Sequence, residues 1–386
     1  MYYSTELVFL ILLFLVVYTY LIYPVVIKLI SFFFPINSSG YSNHSISVLI
    51  SAFNEERVIE ERIRNISEQE IDFSLLEVLV GSDGSTDATN ELLLKLQQEY
   101  RWLKVFTYEK QRGKALILND LVDKAQNEIL VFTDANTIFN RDSIVKLTGS
   151  FCNETIGGVS GRLILEDLPT SSVKGIKEKD YWEYETFIKK SEGRCGILIG
   201  ANGGIFAIRK KLYPKMFPDK AVTDDLFITL SVLSKNQKFI YQNDAVAKEE
   251  VAPDIKSEFR RKIRFAATNF QTLAMFNHLL FSKNLLLSFA FWSHKVVRWF
   301  VPLVLILLIS LNVLLQKNSN FFEVMFVIQI VFYSTALLGF IFSLVNIKLK
   351  IFSLMSYFVL TNLALLLGLI KYLSGKHSAI WDSTPR

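Results

Sequence analysis

Two kinds of pattern divide the chain. Residues 7–34, 296–315, 321–345 and 351–373 are apolar with few interruptions, whereas residues 46–252 alternate short apolar blocks with amphipathic ones. Each long run would cross about 30 Å of hydrocarbon as a helix, so membrane spans are predicted at both ends of the chain. In the middle, residues 46–51 read as a strand. The next block reads as a helix capped by Asn54, with Glu55 and Glu56 in its first turn and Ile59, Ile63 and Ile66 as its buried stripe. Residues 78–82 form another buried strand, ending in a turn that holds Asp83 and Asp87, with Ser85 or Thr86 as a helix cap. A helix, a strand over 104–108, a helix over 114–125 with Ala115, Leu118, Val122 and Ala125 on one face, and a strand over 128–134 follow. Such alternation predicts an α/β sheet of parallel strands with helices on both faces, and ligands collect beyond the carboxyl ends of those strands.

From residue 253 the pattern is helical. Phe259, Ile263, Ala266, Phe270 and Leu273 make one apolar stripe, and Arg260, Arg261, Lys262 and Arg264 crowd the other faces. Such a helix lies in a membrane interface or closes its basic face over an anion. The chain thus divides into an anchor (1–36), a polar linker, an α/β domain (46–252), amphipathic interfacial helices (253–295), carboxyl-terminal spans (296–373) and a tail (374–386).

With 386 residues, 51% of them hydrophobic, there is room for a catalytic domain beside the membrane segments. The first apolar run has neither a basic start nor a small-residue cleavage site, which predicts a retained anchor. Basic residues follow that run and none precede it, which puts the amino terminus outside and the middle in the cytosol. The net charge of +5 is distributed as that topology requires and gives no reason to expect nucleic acid. Cys152 and Cys195 lack metal-ligand spacing and read as reduced packing residues. Trp292, His294, Lys295, Arg298 and Trp299 read as an interfacial belt, with no partner that would make His294 catalytic. Three crossings after a cytosolic domain would leave the tail outside, yet Lys371, Lys376 and Arg386 favour the inside. One apolar run must then lie in the interface or re-enter.

The chemistry-bearing residues fall in ordered groups: Ser51-Ala52-Phe53-Asn54-Glu55-Glu56, Ser82-Asp83-Gly84-Ser85-Thr86-Asp87, Gly113-Lys114, Phe132-Thr133-Asp134-Ala135-Asn136, Gly200-Ala201-Asn202-Gly203-Gly204, Thr223-Asp224-Asp225 and Arg261-Lys262-Ile263-Arg264-Phe265. The set resembles the membrane-bound family 2 glycosyltransferases, a group that includes processive cellulose, hyaluronan and poly-N-acetylglucosamine synthases and simpler single-sugar transferases. The resemblance implies a GT-A-like nucleotide-sugar-binding fold with amino- and carboxyl-terminal transmembrane helices. It implies a UDP-sugar donor, UDP-N-acetylglucosamine or UDP-glucose, bound by Phe53, Asn54, Glu55, Asp83, Lys114 and Asp134. Asp134 and Asn136 become ligands of Mg2+ or Mn2+, although Asn136 stands where the family has a second Asp and brings no charge.

By the same resemblance, Asp225 is the general base beside Asp224, and Arg261 and Arg264 bracket the departing diphosphate. The acceptor is a saccharide held by Trp182, Asn202, Gly203 and Phe265. Arg261 and Phe265 replace the family's Gln and Trp, departures that bear on processivity rather than on transfer. Residues 381–386 resemble the family's tail, similar in composition to a loop that gates the nucleotide pocket. Two other readings stay open: a single-sugar transferase acting on a polyprenyl-phosphate or other lipid, and a nucleotide-sugar-binding pseudoenzyme regulating a partner. Membrane lipid and an accessory membrane subunit complete the expected partners.

Overall fold

The computed structural model describes residues 2–35, 44–166, 176–217, 220–250, 255–345, 347 and 349–375. The anticipated tail motif at 381–386 and most of the polar linker lie outside these residues. The chain opens with α1 (Tyr2–Val17) and α2 (Tyr23–Ser31), joined through a π-helical turn at Tyr18–Ile22. The α/β domain follows as β1 (Ile46–Ala52), α3 (Ile59–Ser67), β2 (Leu76–Asp83), α4 (Thr89–Glu99), β3 (Leu103–Tyr108), α5 (Lys114–Lys124), β4 (Ile129–Thr133), β5 (Thr137–Phe139) and α6 (Ser143–Thr148). It continues through β6 (Ile156–Glu166), α7 (Ile176–Arg194), β7 (Phe206–Arg209), α8 (Asp224–Ser234) and β8 (Lys238–Glu250). Helices α9 (Ile255–Met275), α10 (Leu285–Ala290), α11 (Val297–Leu315), α12 (Asn320–Leu344) and α13 (Lys350–Leu373) complete it, with a second π-helical turn, Phe291–Val296, between α10 and α11.

The strands form one sheet in the order β3-β2-β1-β4-β7-β6-β8-β5. Strands β3, β2, β1 and β4 are parallel, as expected. The second half departs from expectation, because β7 runs against β4 and β6, and β5 runs against β8. Hydropathy reports burial, and β7 is as buried as β4, so nothing in its apolar pattern marks its direction.

Alternate residues of each central strand enter opposite cores, as a period of two requires. Val48, Val78 and Val131 meet Ile59, Ile63 and Ile66 of α3 on one face. Leu49, Leu79 and Leu130 face α5 and α8 on the other, and this second core continues into Tyr23 and Ile27 of α2 and Phe291 and Trp299 beside α11. The catalytic-sized domain and the apolar helices therefore share one hydrophobic core.

Among the described residues, four helices are long and apolar enough to cross a membrane: Ser4–Ser31, Leu285–Leu315, Asn320–Leu344 and Lys350–Leu373. Of the segment expected to be interfacial, 253–295, only residues 285–295 belong instead to the continuous start of the second of these. Helix α9 does not lie free with its apolar stripe outward either. Ala266, Ala267 and Phe270 are buried, and a Cβ on Gly368 of α13 would fall 2.3 Å from the Ala266 Cβ.

Candidate active site

The carboxyl ends of β1, β2 and β4 deliver the first wall of the site. Asn54 adopts a left-handed conformation, φ 55°, and its Oδ1 accepts from the Thr86 N–H at 2.8 Å. Ser85 Oγ accepts from the Asn54 N–H, Thr89 Oγ1 from the Glu55 N–H, and Glu56 Oε2 from the Ala88 N–H. Residues expected to cap helices thus bind two loops to each other, and α3 and α4 begin later, at Ile59 and Thr89. The reason is local: Asn tolerates the left-handed turn, and its short amide reaches a neighbouring backbone.

Asp83 is 3% exposed and accepts from the Arg112 N–H at 2.6 Å and the Gly113 N–H at 2.8 Å. It fixes the turn that starts α5 and hence the base of Lys114, while still lining the cavity with Phe53, Asn54 and Glu55. The turn passes so close to β2 that a Cβ on Gly84 would meet the Gln111 nitrogen at 2.6 Å.

Lys114 is the electrostatic centre. Its Nζ lies 2.7 Å from Asp134 Oδ1 and 2.9 Å from Asp224 Oδ2, joining the end of β4 to the start of α8. Burial lowers the basicity of such an amine, but the two carboxylates more than reverse this and hold it above its ordinary value. Asp225, next to this pair, is pushed up from 3.8 to about 6 by burial and by the Asp224 charge, against the pull of Lys189, the Leu226 N–H and Lys114. Thr223, at the start of α8, makes no side-chain cap: its hydroxyl pairs with Thr268 at 2.6 Å and ties α8 to α9.

Asp134 and Asn136 both line the cavity, and Asn136 Nδ2 donates to Glu249 Oε1 at 3.3 Å, leaving the amide oxygen as its ligating atom. A carboxylate and an amide oxygen are hard donors that suit Mg2+ or Mn2+. Among the described residues no group of three His, Cys, Asp or Glu side chains converges on one point.

Arg261, Arg264 and Phe265 of α9 border the same cavity, so the basic face does close over it. Gly203 sits against the base, since a Cβ there would lie 3.4 Å from Asp225 Oδ2. Trp182 borders the cavity with its indole N–H donated to Leu163 O at 2.7 Å. Asn202 is placed behind this wall rather than on it. It is 1% exposed, and its side chain accepts from Lys189 Nζ at 2.6 Å and donates to Gly161 O at 2.7 Å.

Sequence reasoning missed a buried ionic cluster. His294 is fully buried, not part of a surface belt, with Nδ1 2.7 Å from Glu192 Oε1 and Nε2 3.1 Å from Glu185 Oε2. Arg298 pairs with Glu185, and Tyr23 donates to Glu192 at 2.7 Å. The cluster fastens α7 to α2 and to the π-helical turn that holds His294. One signal was present: Glu185, Lys189 and Glu192 are spaced four and three apart, one face of a helix that also carries Trp182 and Ile188.

The cavity has a volume of about 1840 Å3 and does not stop at the α/β domain. Its far wall comprises Val16, Val17, Leu21, Phe332, Leu354 and Leu365, from the apolar helices.

A profile of Glycosyl transferase family 2 matches residues 47–217. Among curated proteins, poly-β-1,6-N-acetyl-D-glucosamine synthase of Staphylococcus epidermidis is 23% identical over 243 residues, 62% of this chain and 58% of that protein. The same synthase of Staphylococcus aureus (strain COL) is 23% identical over 233 residues, 59% of this chain and 55% of that one. The chain thus spans a little over half the length of these relatives. Among solved structures, mannosyltransferase PcManGT from Pyrobaculum calidifontis, in complex with GDP-Man and Mn2+, superposes with a TM-score of 0.73 at 18% identity over 96% of this chain and 100% of that one. At that identity the likeness speaks for the fold, and it extends over the apolar helices as well as the sheet. Residues 47–217 thus match Glycosyl transferase family 2, and the chain has a GT-A-like fold joined through a common core to the four long apolar helices found among the described residues.

Proposed function

We propose that the protein is an inverting glycosyltransferase that moves a sugar from UDP-N-acetylglucosamine or UDP-glucose to a saccharide acceptor at the cytosolic membrane face, for cell-envelope or extracellular polysaccharide. One observation carries this reading. Asp83, Lys114, Asp134, Asp224, Asp225, Arg261 and Arg264, from widely separated parts of the chain, line a single cavity. Asp225 takes the proton of the acceptor hydroxyl, whose oxygen bonds to the anomeric carbon as the bond to the diphosphate breaks on the opposite side. Lys114, Arg261 and Arg264 meet the charge on the departing diphosphate. Asp134 and Asn136 would hold a divalent cation, Mg2+ or Mn2+, whose charge offsets the same developing negative charge.

A second reading, transfer to a lipid-linked acceptor, is favoured by the apolar far wall of the cavity. Val16, Val17, Leu21, Leu354 and Leu365 suit a hydrocarbon chain better than a sugar polymer. Mass spectrometry of the product made by purified protein from UDP-N-acetylglucosamine, UDP-glucose and GDP-mannose tests both. A polymer from a UDP-sugar supports the first reading, and one sugar on a lipid supports the second. Nucleotide binding without transfer or hydrolysis contradicts both.

A further inference from the structure

Lys189 is a buried cation with no carboxylate in contact among the described ion pairs. It lies 8% exposed on α7, its Nζ donating to Asn202 Oδ1 at 2.6 Å and to Ala201 O at 3.4 Å, and it sits 5.3 Å from the centroid of the Trp182 ring. A lysine in such a place loses hydration and gains little in return, so stability alone gives no reason for its charge. Its contacts are informative. Asn202 begins the turn that leads to Gly203, Gly203 abuts the Asp225 carboxylate, and Trp182 borders the cavity.

We propose, building on the assignment of Asp225 as the base, that Lys189 is a positioning residue for transfer. It holds the Ala201–Gly203 turn against Asp225, and its positive charge keeps that carboxylate ionised in the working enzyme. Hydrogen bonds to two consecutive residues of the turn supply the first role. The contact path from Lys189 through Asn202 to Gly203, which abuts Asp225, supports the second: Lys189 acts on Asp225 as a favourable charge, opposing burial and Asp224.

The groups facing Lys189 come from three directions. Glu185 and Glu192 lie on its own helix, Asp225 on α8, and Lys295 on the π-helical turn before α11. Burial and Lys295 lower its basicity to about 8, while the three acids oppose this. Lys189 therefore stays protonated through the range in which Asp225 loses its proton.

Removing the charge must raise the pH at which Asp225 ionises, because an attractive neighbour disappears. The test is the pH profile of kcat/KM for full-length Lys189→Gln, Lys189→Met and Lys189→Arg in detergent or lipid nanodiscs. Lys189→Gln and Lys189→Met should move the acid limb upward by about one pH unit. Lys189→Arg should keep it in place, and donor KM should change less than kcat in all three. Lower rates with an unmoved acid limb in both neutral variants would overturn the proposal, leaving Lys189 a purely structural role. So would failure of both neutral variants to fold while the arginine variant folds. If Asp225→Asn transfers sugar at the wild-type rate, the assignment of the base fails first, a result separate from any Lys189 profile.

Discussion

At the scale of single residues, the chemistry was legible where a polar side chain ended an apolar run. Asp83 and Asp134 stood out for that reason, and the paired Asp224-Asp225 stood out by sequence. His294 did not, because its partners Glu192 and Glu185 lie 102 and 109 residues away, and Lys189, though its neighbours are close in sequence, reads in isolation as a solvated group. The raised Asp225 gives two predictions. As a base it must be ionised, so kcat/KM should fall below about pH 6 with a slope of one proton. The stability sign is the reverse of the usual carboxylate. Its folded value lies above 3.8, so Asp225 opposes folding above about pH 6, by up to about 3 kcal/mol, and the penalty fades as the pH falls toward 3.8. Asp225→Asn should therefore unfold at a higher temperature than wild type at pH 7.5 and gain little at pH 4.5; a lower melting temperature at pH 7.5 contradicts the buried, repelled carboxylate. Lys114→Met should be costly in the opposite sense. It strands Asp134 and Asp224 without their shared cation; Asp224 is buried but the Asp134 side chain is 32% exposed, so the loss should fall below that of a fully buried pair, about 3–5 kcal/mol. Chemical denaturation of the two proteins measures the difference.

Among elements, the strands and helices up to β4 were readable because each has one hydrophobic period and one buried face. Helix starts were displaced at α3, where Asn54 binds a neighbouring loop, and strand direction was lost beyond β4 because a strand buried on both faces carries no mark of polarity. The two π-helical turns had no sequence signature at all. They sit against each other, with Thr19 Oγ1 donating to Ser293 O at 2.9 Å, and such turns recur at functional sites. Close packing of α9 on α13 is the element-level device that fixes Arg261 and Arg264 over the cavity. Gly368→Val would drive a side chain into Ala266, the Ala267 nitrogen and Ile263 O, and should cost about 1–3 kcal/mol while raising donor KM. Unchanged KM in a folded Gly368→Val protein would show that α9 position does not govern donor binding.

For the whole molecule, the common core means that the α/β domain cannot be moved far from the apolar helices without exposing Phe291 and Trp299. The site therefore stays beside helices long and apolar enough to cross a membrane, and apolar residues of those helices line the same cavity as Asp225. Topology has a direct probe in the two cysteines, Cys152 exposed and Cys195 buried. With a cytosolic domain, a membrane-impermeant maleimide should label Cys152 in inside-out vesicles and in neither intact cells nor Cys152→Ser protein; labelling in intact cells would reverse the assigned orientation. The central claim is that Asp225 acts on the acceptor while Asp83, Lys114 and Asp134 serve the donor, and a comparison of binding with transfer in Asp225→Asn tests it most directly. With UDP affinity by calorimetry and transfer by radiolabelled UDP-sugar on the same preparation, the variant should bind UDP within about threefold of wild type yet transfer at least about 100-fold more slowly. Transfer at the wild-type rate, or loss of UDP binding in step with activity, would contradict it.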